Sequence, residues 1–188
     1  MMRFLGVLLG MMAGSVAGCS GTSTDRTDCP RVVLDRATSF LTHFREPRGG
    51  HELVAEITGY NGTCEHHSDH LVMTLAVRFT AMRGPALTAQ PAQEDPAVTW
   101  PYFVAIVHTP PSAALAPPQQ PTVLAKEIFH LASTFPSGQD SIHVRDEDIT
   151  LALPLKPGES LDRYQIFLGF QLTAEQLNDN RQKAGRGG

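Results

Sequence analysis

The chain has 188 residues and a formal net charge of −4, and its 41% of hydrophobic against 18% of charged residues excludes a disordered chain. A mildly acidic balance with no basic stripe along the sequence argues against nucleic acid as a partner, and against electrostatic docking on anionic lipid. Without its N-terminal leader the chain keeps about 170 residues, room for one domain with a proper core and too little for two.

Met1 to Gly18 carries one basic residue, Arg3, then an apolar run from Phe4 to Met12, then small residues up to Cys19. That is the layout of a secretory signal. The apolar run is far below the ~20 residues a spanning helix needs, and its flank is not a stop-transfer cluster. Val16-Ala17-Gly18-Cys19 resembles the lipobox of bacterial lipoproteins: an aliphatic residue, two small residues, then cysteine. The resemblance implies that residues 1–18 are removed, that the Cys19 thiol takes a diacylglycerol and that the new amino group is acylated as well. At ~0.8 kcal/mol per buried CH2 one acyl chain holds only marginally, and two or three make the attachment lasting. Ser20 and Gly21 follow, where an Asp would signal retention in the inner membrane of Gram-negative relatives. The implied address is the outer membrane, facing the periplasm, and the implied partner is the membrane itself.

Ser20 to Asp28 is polar, small and aperiodic, the composition of a flexible tether, so residues 19–28 link the lipid to the domain. Nine residues reach at most ~30 Å, which keeps the body near the membrane. The domain is expected to span residues 29–182. Export makes Cys29 and Cys64 a disulfide rather than a zinc site with His66 and His67, for which no regular ligand spacing speaks.

From there the dominant period is two. Leu71, Met73, Leu75, Val77 and Phe79 share one face while Thr74, Arg78 and Thr80 share the other; Tyr164, Ile166, Leu168, Phe170 and Leu172 repeat the pattern. Leu151, Leu153 and Leu155 predict a third strand, with weaker ones at 32–34, 53–60 and 123–131. Tyr102 to Val107 is apolar on both faces, as expected of an inner strand whose outer side is also covered. About seven short strands predict an antiparallel β-sandwich of immunoglobulin-like or fibronectin-like kind. The proline-rich connections 85–98 and 109–121 are expected to stay out of any sheet interior. Asn61-Gly62 reads as a tight turn.

Three clusters invite chemistry. Glu65-His66-His67-Ser68-Asp69-His70 could place His66, His67 and His70 on a transition metal, although a polar hairpin between two strands accounts for it without one. Asp146-Glu147-Asp148 could be paired carboxylates or half a calcium loop, but lacks the usual glycine and reads as a solvated turn. Trp100, Tyr102 and Phe103 are read as core rather than a stacking platform. No G-x-S-x-G, H-E-x-x-H or P-loop occurs, so the sequence points to no enzyme and no cofactor.

Thr173-Ala174-Glu175-Gln176 fits a capping box and starts a helix predicted over 174–182, with Leu177 docking it on the sandwich and 183–188 a frayed tail. Taken together, Cys29-Pro30-Arg31-Val32, Arg83-Gly84-Pro85-Ala86, Pro101-Tyr102-Phe103-Val104-Ala105 and Gly169-Phe170-Gln171-Leu172-Thr173, with Glu175-Gln176-Leu177 and Asn180-Arg181, resemble a group of small uncharacterised lipoproteins of Gram-negative bacteria. The group brings no catalytic residues. The expected function is a non-enzymatic interaction module of the cell envelope with a protein partner; the alternative is a metal-binding lipoprotein using His66, His67 and His70.

Overall fold

The computed structural model describes residues 29–44, 50–88, 97–110, 120–155 and 158–186. The signal, Cys19 and the tether therefore lie outside the described residues, as do Gly187 and Gly188. Eight strands are present among the described residues: β1 (Arg31–Leu34), β2 (Phe40–Phe44), β3 (His51–His66), β4 (His70–Arg83), β5 (Ala97–His108), β6 (Thr122–Thr134), β7 (Ser141–Pro154) and β8 (Tyr164–Phe170). Sheet I runs β1-β8-β5-β6 and sheet II runs β2-β3-β4-β7. Every pair is antiparallel except β1 with β8. The protein is thus an all-β sandwich, the architecture that immunoglobulin-like and fibronectin-like domains share.

The period-two strands build the core as their patterns dictate. Leu71, Met73, Leu75, Val77, Phe79 and Ala81 on β4 are buried against Trp100, Tyr102, Val104 and Ile106 on β5 and Ile166, Leu168 and Phe170 on β8. Phe79 is the hub. Its ring meets those of Trp100, Tyr102 and Phe170 at 6.3, 5.0 and 5.9 Å, all tilted, the arrangement aromatic quadrupoles favour. The Trp100 indole N–H is buried with no acceptor among the described residues, so this side chain contributes packing area at a desolvation cost of about 1–3 kcal/mol.

Bulges on β3 and β7 change which residues face inward. On β3, Leu53, Ala55 and Ile57 point to the core; the register then shifts between Ile57 and Gly59, and Tyr60, Gly62 and Cys64 sit opposite the core-facing Val77, Leu75 and Met73. Asn61-Gly62 is therefore strand and not a turn. A side chain at position 62 would collide with Met73, the Cβ position lying 2.6 Å from its Cε, so glycine here makes room for a core methionine. On β7 the shift opposite Leu75–Val77 separates an inward set ending at Asp146 from the set Ile149, Leu151, Leu153. Asp146-Glu147-Asp148 is accordingly a bulge inside a strand rather than a solvated turn, and Asp146 turns inward to accept a hydrogen bond from the Tyr102 hydroxyl at 2.5 Å.

The turn between β6 and β7 closes with the Gln139 amide donating to the Pro136 carbonyl at 3.0 Å, and Gly138 takes the φ of 77° that other residues resist. Pro85–Thr88 forms a single helical turn, α1. The last element, α2 (Ala174–Arg186), opens on the expected capping box: the Gln176 amide donates to Thr173 Oγ1 at 3.2 Å, and Gln176 Oε1 accepts from the Thr173 amide at 2.9 Å. It runs one turn beyond the predicted end, and Lys183 and Ala184 line a crevice with Arg36, Phe40 and Asn180. Polar groups hold it down more than Leu177 does. Asn180, 8% exposed, donates to the carbonyls of Ala37 and Phe40 at 2.9 and 2.8 Å, and Gln176 Nε2 donates to that of Thr42 at 2.9 Å.

Candidate functional site

One end of the sandwich gathers most of the residues singled out in the sequence. Cys29, just ahead of β1, is bonded to Cys64 near the end of β3, with Cα atoms 5.5 Å apart, so the bridge staples sheet I to sheet II. The β3–β4 hairpin tip, the end of β7 and the starts of β6 and β8 lie at this same end, since His66 pairs with Leu71, His70 with Pro154, and His108 with both Tyr164 and Thr122. The chain thus enters the fold at the pole that carries four of its histidines.

At the hairpin tip the rings of His67 and His70 stack 4.4 Å apart and nearly parallel, and His70 Nδ1 lies 2.7 Å from Asp69 Oδ1. That hydrogen bond holds the exposed Asp69 carboxyl below its usual value. The hairpin is tied by the His67 amide to the His70 carbonyl at 2.9 Å. Among the described residues no group of three His, Cys, Asp or Glu is placed to hold a metal ion. Stacked rings present their nitrogens side by side rather than toward one point, and His66 closes β3 beside them.

A second polar network at this end escaped the sequence. Glu159, in the turn before β8, has a side chain only 9% exposed; its Oε1 is 2.9 Å from His108 Nε2 and its Oε2 accepts from the Tyr164 hydroxyl at 2.8 Å. The same hydroxyl lies 2.8 Å from the Pro154 carbonyl, bridging to sheet II, and Arg163 Nη1 stands 4.0 Å from Glu159 Oε1. Fifty-one positions separate His108 from Glu159, so no local motif announces the pair. An imidazole held by a carboxylate is half of a hydrolytic constellation, yet the neighbouring hydroxyl, Ser160, is turned to the amide and carboxylate of Asp162. The network works as a lock that fastens the 158–163 turn across both sheets.

Burial, the hydrogen bond to Glu159 and the Glu159 charge push the Tyr164 phenol up to about 12, against an ordinary value of 10, with Arg163 opposing. A raised phenol pKa means that the fold favours the neutral form. Its contribution is whole below pH 10 and is lost as the pH rises through about 12. Urea midpoints measured across this window should fall steeply for the native chain and less steeply for Tyr164→Phe; equal slopes would remove Tyr164 from the alkaline transition.

The outer face of sheet I is of a different kind. Because directly paired residues share a face, three rows cross it: Arg31, Gln165, Val107 and Val123; Val33, Phe167, Ala105 and Lys126; then Gly169, Phe103 and Ile128. Val123 and Ile128 are 59% and 45% exposed, and Val33, Phe103, Val107 and Phe167 are half-buried. Lys126 lays its ammonium 4.6 Å from the centre of the Phe103 ring and donates to Gln171 Oε1. These rows hold two cations and no carboxylate. Asp35, next along the chain from β1, turns back to the Ala37 amide at 2.9 Å. The core reading thus holds for Trp100 and Tyr102, both fully buried, whereas Phe103 looks outward; and among the described residues no third layer covers β5. No family model, curated protein or solved structure matches this chain.

Proposed function

We propose that this chain is a lipid-anchored, non-enzymatic interaction module of the bacterial cell envelope, held at the outer membrane and facing the periplasm. The observation that carries the reading is the Val16-Ala17-Gly18-Cys19 sequence, with nine residues between it and Cys29, the first of the described residues. A Cys29–Cys64 bridge suits an oxidising compartment. An interaction role is supported by what the polar groups do: the His108–Glu159–Tyr164 network fastens a turn, the Tyr102–Asp146 bond joins two sheets, and neither is open on a reacting centre. Edge strands β6 and β7 offer the backbone by which an envelope protein could add a strand.

Mass spectrometry of the mature N-terminal peptide tests the reading. The expected result is an acylated Cys19 at the N-terminus and loss of membrane attachment in Cys19→Ala; an unmodified thiol, or cleavage elsewhere, ends it.

A further inference from the structure

Resting on that anchored reading, we propose that the outer face of sheet I lies against the phospholipid surface, so that the domain is seated on the membrane rather than merely tied to it. The composition of this face supports the seat. Folding brings Arg31 and Lys126, ninety-five positions apart in sequence, onto one face with Val107, Val123, Phe103 and Ile128, and the four strands place no carboxylate on it, in a chain whose net charge is −4. Cations spaced among apolar side chains match an interface where anionic headgroups lie above acyl chains, and the Lys126 ammonium, over the Phe103 ring and bonded to Gln171 Oε1, is fixed on that face. Nucleic acid would ask for many more cations and no valines.

The place of Cys29 supports it as well. Cys29 stands two residues before Arg31, at the β1 edge of this face, and a tether of nine residues cannot carry that edge more than ~30 Å from the bilayer. The exposed valine and isoleucine lie at the opposite β6 edge, three strand spacings or ~14 Å away. Lipid at one edge and apolar side chains at the other give two points of contact, which fix an orientation. The tether also keeps the local concentration of lipid surface high, so a face too weak to bind membranes from solution is sufficient once anchored. The apolar outer side of β5 then has its cover: the inner row packs the core and the outer row meets lipid.

The test uses the lipidated protein purified from membranes and rebuilt into bilayers of phosphatidylethanolamine and phosphatidylglycerol carrying a nitroxide-labelled lipid. Amide relaxation should be enhanced at Val107, Val123, Ile128 and Phe167 and not on the outer face of sheet II. The enhancement should be lost in V123E/I128E, whose exposed positions leave the melting curve in place, while the Cys19 lipid is still found by mass spectrometry. Enhancement centred instead on the His67–His70 hairpin, equal enhancement on all faces, or a dimer in detergent that hides Val123 and Ile128 would each overturn the seat and leave the anchor standing. A Cys19 without lipid overturns both.

Discussion

Replacing Cys29 and Cys64 together by alanine should lower the unfolding free energy by about 4 kcal/mol, the loop-closure entropy that a cross-link over this separation removes from the unfolded chain. The bridge spans 35 positions and joins the start of sheet I to the far end of β3, so nothing local replaces it. At about 2–4 °C per kcal/mol for a domain of this size, the melting temperature should drop by roughly 10 °C. Matched urea unfolding of the native and double-alanine chains, with the native chain also measured under reductant, checks it. If the reduced and oxidised chains share one midpoint, the staple between the sheets carries none of the stability assigned to it. The damage should be greatest where the bridge sits, with amide exchange rising first at Cys64–His70 and Arg31–Leu34, because those segments have the shortest path back to an open pole.

The strands that supply much of the core were legible for a simple reason. β4 has one face buried throughout, so its inward positions are apolar without a break, and β8 keeps Tyr164, Ile166, Leu168 and Phe170 inward at the same spacing although Phe167 is apolar too. β3 and β7 were legible only in part, since each contains a bulge, and a bulge reverses the alternation midway. Asn61-Gly62 and Asp146-Glu147-Asp148 carry the composition of turns, and local composition is what a reading of sequence weighs. Whether such a segment turns or continues is settled by its partner: Leu75 and Ala76 across from Gly62 and Asn61, Val77 across from Asp146. β2 escaped entirely because only Leu41 of its five residues is buried, which leaves no period to see. The surface features were less legible still. The outer face of sheet I needs residues from four strands, and Glu159 meets His108 through a pairing of β5 with β8 that no spacing encodes.

Charge offers the sharpest case of that limit. A net charge of −4 argues against attraction to anionic lipid, and summed over the whole chain it does. Binding depends on the charges that share a surface, and the order β1-β8-β5-β6 places Arg31 and Lys126 on one where no carboxylate of these strands lies. Sheet topology, not composition, sets the local sign.

Tyr102→Phe should cost about 2–3 kcal/mol although it removes a single oxygen, because the lost donor serves a carboxylate inside the sandwich. The Tyr102 ring is fully buried between Phe79 and Phe129, so phenylalanine fits without repacking, and the change isolates the hydroxyl. Its partner is Asp146, turned inward by the β7 bulge; burial first, then this hydrogen bond, pushes the phenol well above its ordinary range, which marks how strongly the site favours O–H pointing at carboxylate. Asp146→Asn keeps an acceptor and removes the charge. Comparing Tyr102→Phe, Asp146→Asn and the double variant by urea unfolding gives the coupling directly. A charge-assisted bond predicts that Tyr102→Phe costs markedly less in the Asp146→Asn background than in the native chain. Additive costs would mean that the two side chains are neighbours without being partners, and that the bulge at Asp146 is held by the β4–β7 ladder alone. The native outcome has a structural consequence: the bond is the polar tie between β5 and β7, so its loss should loosen sheet I against sheet II at mid-span, far from the disulfide, and the two defects should add when combined.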